Sequence, residues 1–390
     1  MVNFDHVYER KGTNSVKWDA VNKMYKEDDL LPLWVADMDF KVHQPILDAM
    51  ISYINQGILG YTTSSDSLYE AVQTWQKKKH NYIVEKEAIL FSSGVVPSVA
   101  IAIQAYTEVG DAVLIHDPVY HPFAKVIKKN KRRVIRHSLI EVDGKFQIDF
   151  EKMKEAIQTN DVKLFILCNP HNPGGRVWSI EELKKIGELC ASHNVLIISD
   201  EIHQDLIFTP AEFTTFNNAD PSFKDFSITL TAATKTFNLA GIKNSMAFIH
   251  NTELRAKFSN IQEINQQTEI NTIGLIGTEA AYRCGEEWLD DLLIYLQKNI
   301  STVEKFLQSE MPLVKIMKPE GTYLIWLDFS AYALSDKELE NKLIKKGKVV
   351  LNSGISFGPK GSQHMRLNIA CPNATLLEGL ERMKTSFQAD

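Results

Sequence analysis

The stretch SITLTAATKTFNLAG, residues Ser227–Gly241, contains a single lysine, Lys235, shortly after the apolar run Ile228–Leu230. The residues on either side of this lysine are alanine and threonine, and none of them carries a charge that could stabilise an ammonium group. We therefore expect a lowered pKa at Lys235 and a free amine that can act as a nucleophile. Taken alone, the stretch favours an ordinary surface lysine at a turn, so its interpretation depends on residues upstream.

Two other apolar runs end in polar side chains suited to the same site. Lys163–Cys168 (KLFILC) leads towards Asn172, and Val195–Ser199 (VLIIS) leads directly into Asp200. Both runs are continuously apolar rather than alternating, which is typical of parallel strands buried on both faces. Ligands bind beyond the carboxyl ends of such strands, so we expect Asn172, Asp200 and Lys235 to meet in one cleft.

An amine, a carboxylate and an amide in one cleft match the requirements of pyridoxal 5'-phosphate (PLP). The amine of Lys235 would form a Schiff base with the cofactor aldehyde. The carboxylate of Asp200 would face the pyridinium nitrogen and keep it protonated. The sequence therefore predicts a PLP site with Lys235 and Asp200 as catalytic residues.

A phosphate site is predicted at the start of an apolar helix, Pro97–Tyr106. The residues before it, Gly94, Val95 and Val96, would leave backbone N–H groups free at the N-terminus of the helix. These donors and the helix dipole attract phosphate, which is one end of the predicted cofactor.

Three segments, NPHNPGG from Asn169, SDEIHQD from Ser199 and TKTFNLAG from Thr234, resemble the fold-type I PLP enzymes, the class I and II aminotransferase superfamily. The segment LPLWVADMDF from Leu31, and the histidine of DEIH, resemble more narrowly the MalY/PatB group of cystathionine β-lyase-like carbon–sulfur lyases. The resemblance covers essentially the whole chain. It implies an α/β fold with a large domain, built on a mainly parallel open sheet flanked by helices, and a smaller α+β domain.

The length of 390 residues exceeds one ordinary core, so two domains are expected. Following the resemblance, we expect residues 1–45 to form an N-terminal arm and part of the small domain. Residues 46–285 would form the large PLP-binding domain, and residues 286–390 the C-terminal small domain.

The resemblance assigns further contacts with the cofactor. Tyr120 would stack on its ring and take part in catalysis, although a core tyrosine at a loop–helix junction fits the residues equally well. Asn172 and His203 would hydrogen-bond to the ring oxygen, and Thr234 would contact the phosphate. Lys243 stands where many members of the superfamily have a phosphate-binding arginine. The compact charge of its ammonium group would thus replace the several N–H donors of a guanidinium.

The resemblance also assigns contacts with a substrate and with a second subunit. Arg366, inside the predicted strand His364–Ala370, would clamp the substrate α-carboxylate together with Asn172, although the residues alone also permit an internal salt bridge. The backbone near Ala36 would touch the same carboxylate, or its segment is only a packing arm. Tyr61 would reach the cofactor phosphate of a partner subunit, which makes a homodimer necessary for activity.

Composition excludes several other classes of protein. The net charge of −6 argues against a nucleic-acid partner. The four cysteines have no paired spacing and no histidine pair has metal-site spacing, so we expect no metal site and a reducing, cytoplasmic location. No run approaches the roughly 20 apolar residues of a membrane span, so no membrane association is expected.

The expected activity is β-elimination from L-cystathionine or another L-cysteine S-conjugate, which yields a thiol, pyruvate and ammonia. Two alternatives stay open at this point: an aminotransferase acting on amino acids, and a regulatory protein that keeps the PLP fold. The same catalytic residues serve elimination and transamination, and only the subgroup resemblance favours the lyase. The sequence leaves the sulfur substituent of the substrate undetermined.

Overall fold

The computed structural model describes residues 3–388. Its strands, in chain order, are β1 (Leu31–Pro32), β2 (Ile89–Ser92), β3 (Ala112–Asp117), β4 (Arg133–Ser138), β5 (Ile140–Val142), β6 (Lys145–Gln147), β7 (Val162–Cys168), β8 (Leu196–Asp200), β9 (Ser227–Thr231), β10 (Ser245–Phe248), β11 (Lys315–Met317), β12 (Leu324–Asp328), β13 (Val349–Val350), β14 (Asn352–Ser353) and β15 (His364–Asn368). Its α-helices are α1 (Ala20–Tyr25), α2 (Gln44–Ile54), α3 (Asp66–His80), α4 (Val95–Tyr106), α5 (Pro122–Lys129), α6 (Phe150–Asn160), α7 (Ile180–Ser192), α8 (Phe216–Ala219), α9 (Ala233–Thr236), α10 (Thr252–Ile264), α11 (Thr272–Cys284), α12 (Glu286–Glu310), α13 (Asp336–Asn341) and α14 (Asn373–Phe387).

Within residues 3–388, the largest sheet has seven strands in the order β2-β10-β9-β8-β7-β3-β4. Strands β4, β3, β7, β8 and β9 pair in parallel, whereas β10 runs antiparallel to both of its neighbours. The mainly parallel α/β sheet expected from the apolar runs is therefore confirmed. The reversed direction of β10 is a feature that a short apolar run does not reveal.

Side chains on the two faces of this sheet contribute to two separate cores, as expected for strands covered by helices on both sides. On β7, Leu164 and Ile166 pack into one core with residues of α4, α5 and α10. Phe165 and Leu167, which alternate with them, pack into another core with residues of α6 and α7. The continuous apolar run is thus explained by burial on both faces.

The C-terminal part of the chain forms a second sheet within the described range, of four strands in the order β11-β12-β15-β14. Its pairs are antiparallel, so the predicted α+β character is confirmed. Strand β1 pairs in parallel with β13, which attaches the N-terminal segment to this C-terminal part. The predicted domain boundaries at residues 45 and 285 stay predictions.

The predicted start of one helix shifts in the structure. Helix α4 begins at Val95, two residues before the expected Pro97, because the proline occupies the first turn rather than the first position. Residues 251–310 include three helices, α10, α11 and α12. Ser179 and Glu182 form a capping box at the start of α7.

Candidate active site

The carboxyl ends of the parallel strands border a cavity of about 660 Å³. Strands β7, β8 and β9 each lead into one of the polar groups expected there. Most of the predicted site residues line this cavity: Ala36, Gly94, Val95, Val96, Tyr120, Asn172, Asp200, His203, Lys235 and Lys243. The structure therefore brings the predicted amine, carboxylate and amide together.

Lys235 lies on the short helix α9, just after β9, where its amine reaches into the cavity. Its Nζ donates a hydrogen bond to the carbonyl oxygen of Ala36. Burial lowers the pKa of Lys235 to about 8, and the nearby positive charge of Arg366 contributes. The carboxylates of Asp37 and Asp200 act in the opposite direction. A lowered pKa of Lys235 is the direction expected from the sequence, although its main cause is burial and not the uncharged neighbours.

Asp200, the last residue of β8, is buried. Its Oδ1 accepts a hydrogen bond of 3.1 Å from the backbone N–H of Ile202. Burial raises the pKa of this carboxyl to about 7, while the positive charge of Lys235 opposes the increase. A carboxylate held in this state gains stability when a cation binds beside it, and a protonated ring nitrogen would supply that charge.

His203 and Asn172 offer hydrogen-bonding groups beside the same cavity. His203 is buried, and burial lowers its pKa well below the usual value, so the imidazole is neutral. Its Nδ1 has no hydrogen-bond partner among the described residues. Asn172 Oδ1 accepts a hydrogen bond of 3.0 Å from Arg366 Nη1. The imidazole thus has capacity for a ligand, as buried polar atoms usually find a partner.

Arg366 lies on β15 and is buried, although it does not line the cavity itself. Its guanidinium donates to Asn172, to the carbonyl oxygen of Trp34 at 2.9 Å and to Asn352, but to no carboxylate within residues 3–388. Its Nε has no partner within that range, and the group lies 4.9 Å from the ring centre of Phe357. The alternative of an internal salt bridge is therefore wrong. A buried guanidinium without an anion is suited to an anionic ligand.

The segment that carries Ala36 is held in place by side chains from distant parts of the chain. Asn368 Nδ2 donates to the carbonyl oxygens of Val35 (2.6 Å) and Asp37 (2.7 Å). Tyr323 Oη donates to the Ala36 carbonyl oxygen at 3.0 Å. Neither residue was predicted as part of the site. Asn368 follows Arg366 by two positions on one strand and so shares its face, a signal that could have found it.

The expected phosphate cradle lies at the N-terminus of α4. Gly94 is the residue before the helix and has a φ of 141°, which favours glycine, and Val95 and Val96 are the first two helical residues. Their N–H groups have no partner within the helix, because first-turn donors lack one. Lys243 lines the same cavity and is exposed. Thr234 is buried and does not line the cavity.

Tyr61 is separated from these residues within one chain. Its side chain is 98 % exposed and borders a different cavity, together with residues around Asn271. Tyr61 thus does not line the cavity that contains Lys235 in the same chain. The expected contact across a dimer interface stays a prediction.

The model of the family "Aminotransferase class I and II" matches residues 28–383. The chain belongs to the class I and II aminotransferase family. Its sequence is 46% identical to cystathionine β-lyase PatB of Bacillus subtilis, with 99% of this chain and 100% of the relative covered. It is 31% identical to protein MalY of Escherichia coli, with both chains covered completely.

The crystal structure of cystalysin from Treponema denticola, which contains PLP, superposes with a TM-score of 0.96. The sequence identity is 34%, over 99% of this chain and 98% of cystalysin. The fold-type I assignment and the MalY/PatB resemblance are thus confirmed. Within the class I and II aminotransferase family, this chain lies near proteins named for lyase activity.

The arrangement of donors fits the predicted cofactor. Asp200 offers a buried carboxylate for a ring nitrogen, His203 a free imidazole nitrogen, and Lys235 an amine of lowered pKa. The N-terminus of α4, at the same cavity, offers backbone donors for a phosphate. Over residues 3–388, no three His, Cys, Asp or Glu side chains are grouped to bind a metal ion. No helix in that range combines the length and apolar character needed to cross a membrane.

Proposed function

We propose that this protein is a PLP-dependent carbon–sulfur β-lyase that cleaves L-cystathionine or a related L-cysteine S-conjugate to a thiol, pyruvate and ammonia. The main observation is one cleft lined by Lys235, Asp200 and Asn172, in which Asn172 accepts a hydrogen bond from Arg366, a buried guanidinium without a carboxylate partner among residues 3–388. The identity of 46% to a cystathionine β-lyase along the full chain supports this choice within the family.

The cofactor would be held by residues that line the cavity and by Thr234, the residue before Lys235. Asp200 would pair with the ring nitrogen, Tyr120 would cover the ring, and Asn172 and His203 would bind the ring oxygen. The N-terminus of α4, Thr234 and Lys243 would surround the phosphate. When bound, PLP supplies an electron sink that stabilises negative charge at the substrate Cα.

Two charged residues would act on the substrate directly. Arg366 would bind the substrate α-carboxylate with two parallel hydrogen bonds and thereby fix the Cα–H bond near Lys235. The free amine of Lys235 would then remove the Cα proton. The Cβ–S bond breaks, the thiolate leaves with its electron pair, and hydrolysis of the remaining dehydro amino acid gives pyruvate and ammonia.

Incubation of the purified protein with PLP and L-cystathionine tests this function. We expect equal amounts of pyruvate and free thiol, and neither product from the Lys235→Ala variant. The matching family model keeps an aminotransferase as the second candidate, because the same residues serve both reactions. Transfer of the amino group to an added oxo acid, with no pyruvate released from cystathionine, would replace the lyase with the aminotransferase.

We further propose that the active protein is a homodimer in which Tyr61 completes the partner's site. A strip of apolar side chains precedes Tyr61 on the surface of a single chain: Ile58 is 79% exposed and Leu59 is 68% exposed. Such a strip is typical of a surface that another protein covers. The four free cysteines also fit the proposed cytoplasmic location, since thiols stay reduced there.

Mixing two inactive variants tests the shared site. Tyr61→Ala and Lys235→Ala should each have low activity as pure dimers. In a mixed dimer, one site combines an intact Lys235 with an intact Tyr61 from the other subunit. Exchange of subunits should therefore restore roughly a quarter of the wild-type activity, since half of the dimers are mixed and each has one intact site. Absence of any recovery, with subunit exchange confirmed by mass, would contradict a shared site.

A further inference from the structure

The hydroxyl of Tyr323 shares its hydrogen-bond acceptor with the amine of Lys235. Tyr323 Oη donates to the carbonyl oxygen of Ala36 at 3.0 Å, and Lys235 Nζ donates to the same oxygen. Tyr323 is 1% exposed, and burial raises its pKa further above the usual value, so the hydroxyl keeps its proton. A neutral, buried phenol thus lies beside the predicted base and contacts the same atom.

The local backbone directs Tyr323 towards the cleft. The preceding residue, Thr322, has a φ of 69°, a left-handed conformation that is unusual for a β-branched residue. Its N–H donates to the carbonyl oxygen of Leu206 at 2.7 Å, and the N–H of Ile369 donates to the carbonyl oxygen of Tyr323 at 3.0 Å. Strained residues that are held by their surroundings concentrate at functional sites, which gives this position a reason beyond packing.

We propose that Tyr323 is a positioning residue for Lys235: its hydroxyl occupies one lone pair of the Ala36 carbonyl oxygen and so fixes where the free amine can bind. This proposal rests on the proposed role of Lys235 as the base. A carbonyl oxygen offers two lone pairs, and the hydroxyl leaves one of them to the amine. The amine is thereby held at a defined place, with its own lone pair available for a proton from the substrate.

The shared acceptor also affects the charge of Lys235. An ammonium group binds a carbonyl oxygen more strongly than a neutral amine does. The polar hydrogen of Tyr323 withdraws part of the negative potential of that oxygen, which disfavours the ammonium form. Loss of the hydroxyl should therefore raise the pKa of Lys235. A tyrosine that served packing alone would leave this pKa unchanged, since phenylalanine preserves the ring and its edge-to-face contact with His203 at 6.0 Å.

The test is the pH dependence of Lys235 acylation in the full-length chain freed of cofactor. Acetic anhydride is the probe, and peptide mass mapping measures the label on Lys235 alone. In Tyr323→Phe we expect the midpoint of Lys235 acylation to move to a higher pH, by roughly half a pH unit to one pH unit relative to wild type. In the PLP-loaded enzyme, kcat should fall by roughly tenfold or more, with KM within about twofold of wild type.

Tyr106→Phe is the matched control. Its hydroxyl also donates to a backbone carbonyl oxygen, that of Leu254 at 2.8 Å, and Tyr106 does not line the candidate site. This variant should keep the wild-type midpoint and kcat. Equal midpoints in wild type and Tyr323→Phe would overturn the proposal. Acylation requires no turnover, so this comparison stands even if the wild-type protein releases no pyruvate from cystathionine.

A second variant covers the case in which Tyr323→Phe does not fold. Site-specific replacement of Tyr323 by 3-fluorotyrosine keeps the hydroxyl and makes it a stronger donor. The acylation midpoint of Lys235 should then fall below the wild-type value, opposite to the effect of phenylalanine. A midpoint that is unchanged or raised in the fluorinated protein would also overturn the proposal.

Discussion

Buried charges in the N-terminal arm are paired with one another, whereas those in the cleft are not. In the arm, Asp39 accepts hydrogen bonds from Lys17 Nζ at 2.7 Å, Arg10 Nη1 at 2.6 Å and Trp18 Nε1 at 2.9 Å. Arg10 also forms a salt bridge of 2.9 Å with Asp37. Nearby positive charges lower the pKa of Asp39 against the effect of burial. These charges are satisfied within the chain itself.

The cleft leaves comparable charges without such partners. Asp200 receives a single backbone hydrogen bond, and Arg366 donates only to uncharged oxygens within residues 3–388. Burial raises the pKa of Asp200 to about 7 and lowers that of Lys235 to about 8. An unpaired buried charge is unfavourable for folding, so its presence indicates a ligand whose opposite charge pairs with it. Pairing thus distinguishes the charges of the N-terminal arm from those of the cleft.

The largest effect on stability is expected when one of the paired charges of the N-terminal arm is removed. Lys17→Met leaves the carboxylate of Asp39 with less compensation in a fully buried position, since Lys17 is 0% exposed. We expect the free energy of unfolding to fall by about 3–5 kcal/mol. Chemical denaturation measures this loss. Lys384→Met, which removes a surface ion pair with Glu310, is the control and should leave the stability unchanged. Equal stabilities of the two variants would show that the arm charges are not structurally paired.

For Arg366, which has no carboxylate partner among the described residues, we expect a loss of substrate binding without a loss of stability. Arg366→Gln removes a charge that pairs with no carboxylate among the described residues, so the thermal midpoint should stay the same or rise. The KM for cystathionine should increase by roughly 10- to 100-fold, as expected for the loss of a charge-assisted hydrogen bond of about 1.5–3 kcal/mol. Lys163→Gln, which removes a surface ion pair with Asp161, should change neither quantity. A variant that loses stability but keeps KM would assign Arg366 to structure instead of substrate binding.

The sequence was sufficient for the parts of the site that follow directly from strands. Continuous apolar runs such as Lys163–Cys168 identify buried parallel strands, and parallel strands must bring their carboxyl ends to one edge. Asn172, Asp200 and Lys235 were found in this way. The direction of β10 and the start of α4 were not, because a short apolar run has no direction and a proline is tolerated throughout a first helical turn.

The residues that were missed depend on contacts between distant positions. Tyr323 and Asn368 both bind the segment around Ala36, which lies 287 to 333 positions away in the chain. Local patterns do not encode such pairs, because they report periodicity and turns only. Tyr61 illustrates a further limit, since its expected contact belongs to another subunit. The contact of Tyr61 with that site therefore cannot be derived from the structure of a single chain.

The smallest effect is expected from replacing either of two buried aspartates that lie five positions apart in the sequence. Asp205 accepts hydrogen bonds from Trp75 Nε1 (3.0 Å), His80 Nε2 (2.7 Å) and Thr236 Oγ1 (2.6 Å), and the side-chain hydrogen bond and charge of His80 lower its pKa despite burial. Within residues 3–388, Asp200 has no such side-chain donors, and burial raises its pKa from 3.8 to about 7. In the chain without cofactor, Asp200→Asn should therefore stabilise the fold by about 1–2 kcal/mol above pH 7, because an amide replaces an unfavourably buried charge.

The pH dependence distinguishes the two aspartates. Folded Asp200 binds a proton below about pH 7 and the unfolded chain does so only near pH 4, so the gain from Asp200→Asn should fade as the pH falls through this window. Asp205→Asn should instead lower the stability at neutral pH. That loss should shrink only in acid, as the pH falls through the lowered pKa of folded Asp205. Denaturation at several pH values measures both trends. Parallel trends would mean that pairing does not separate the cleft from the rest of the buried charges.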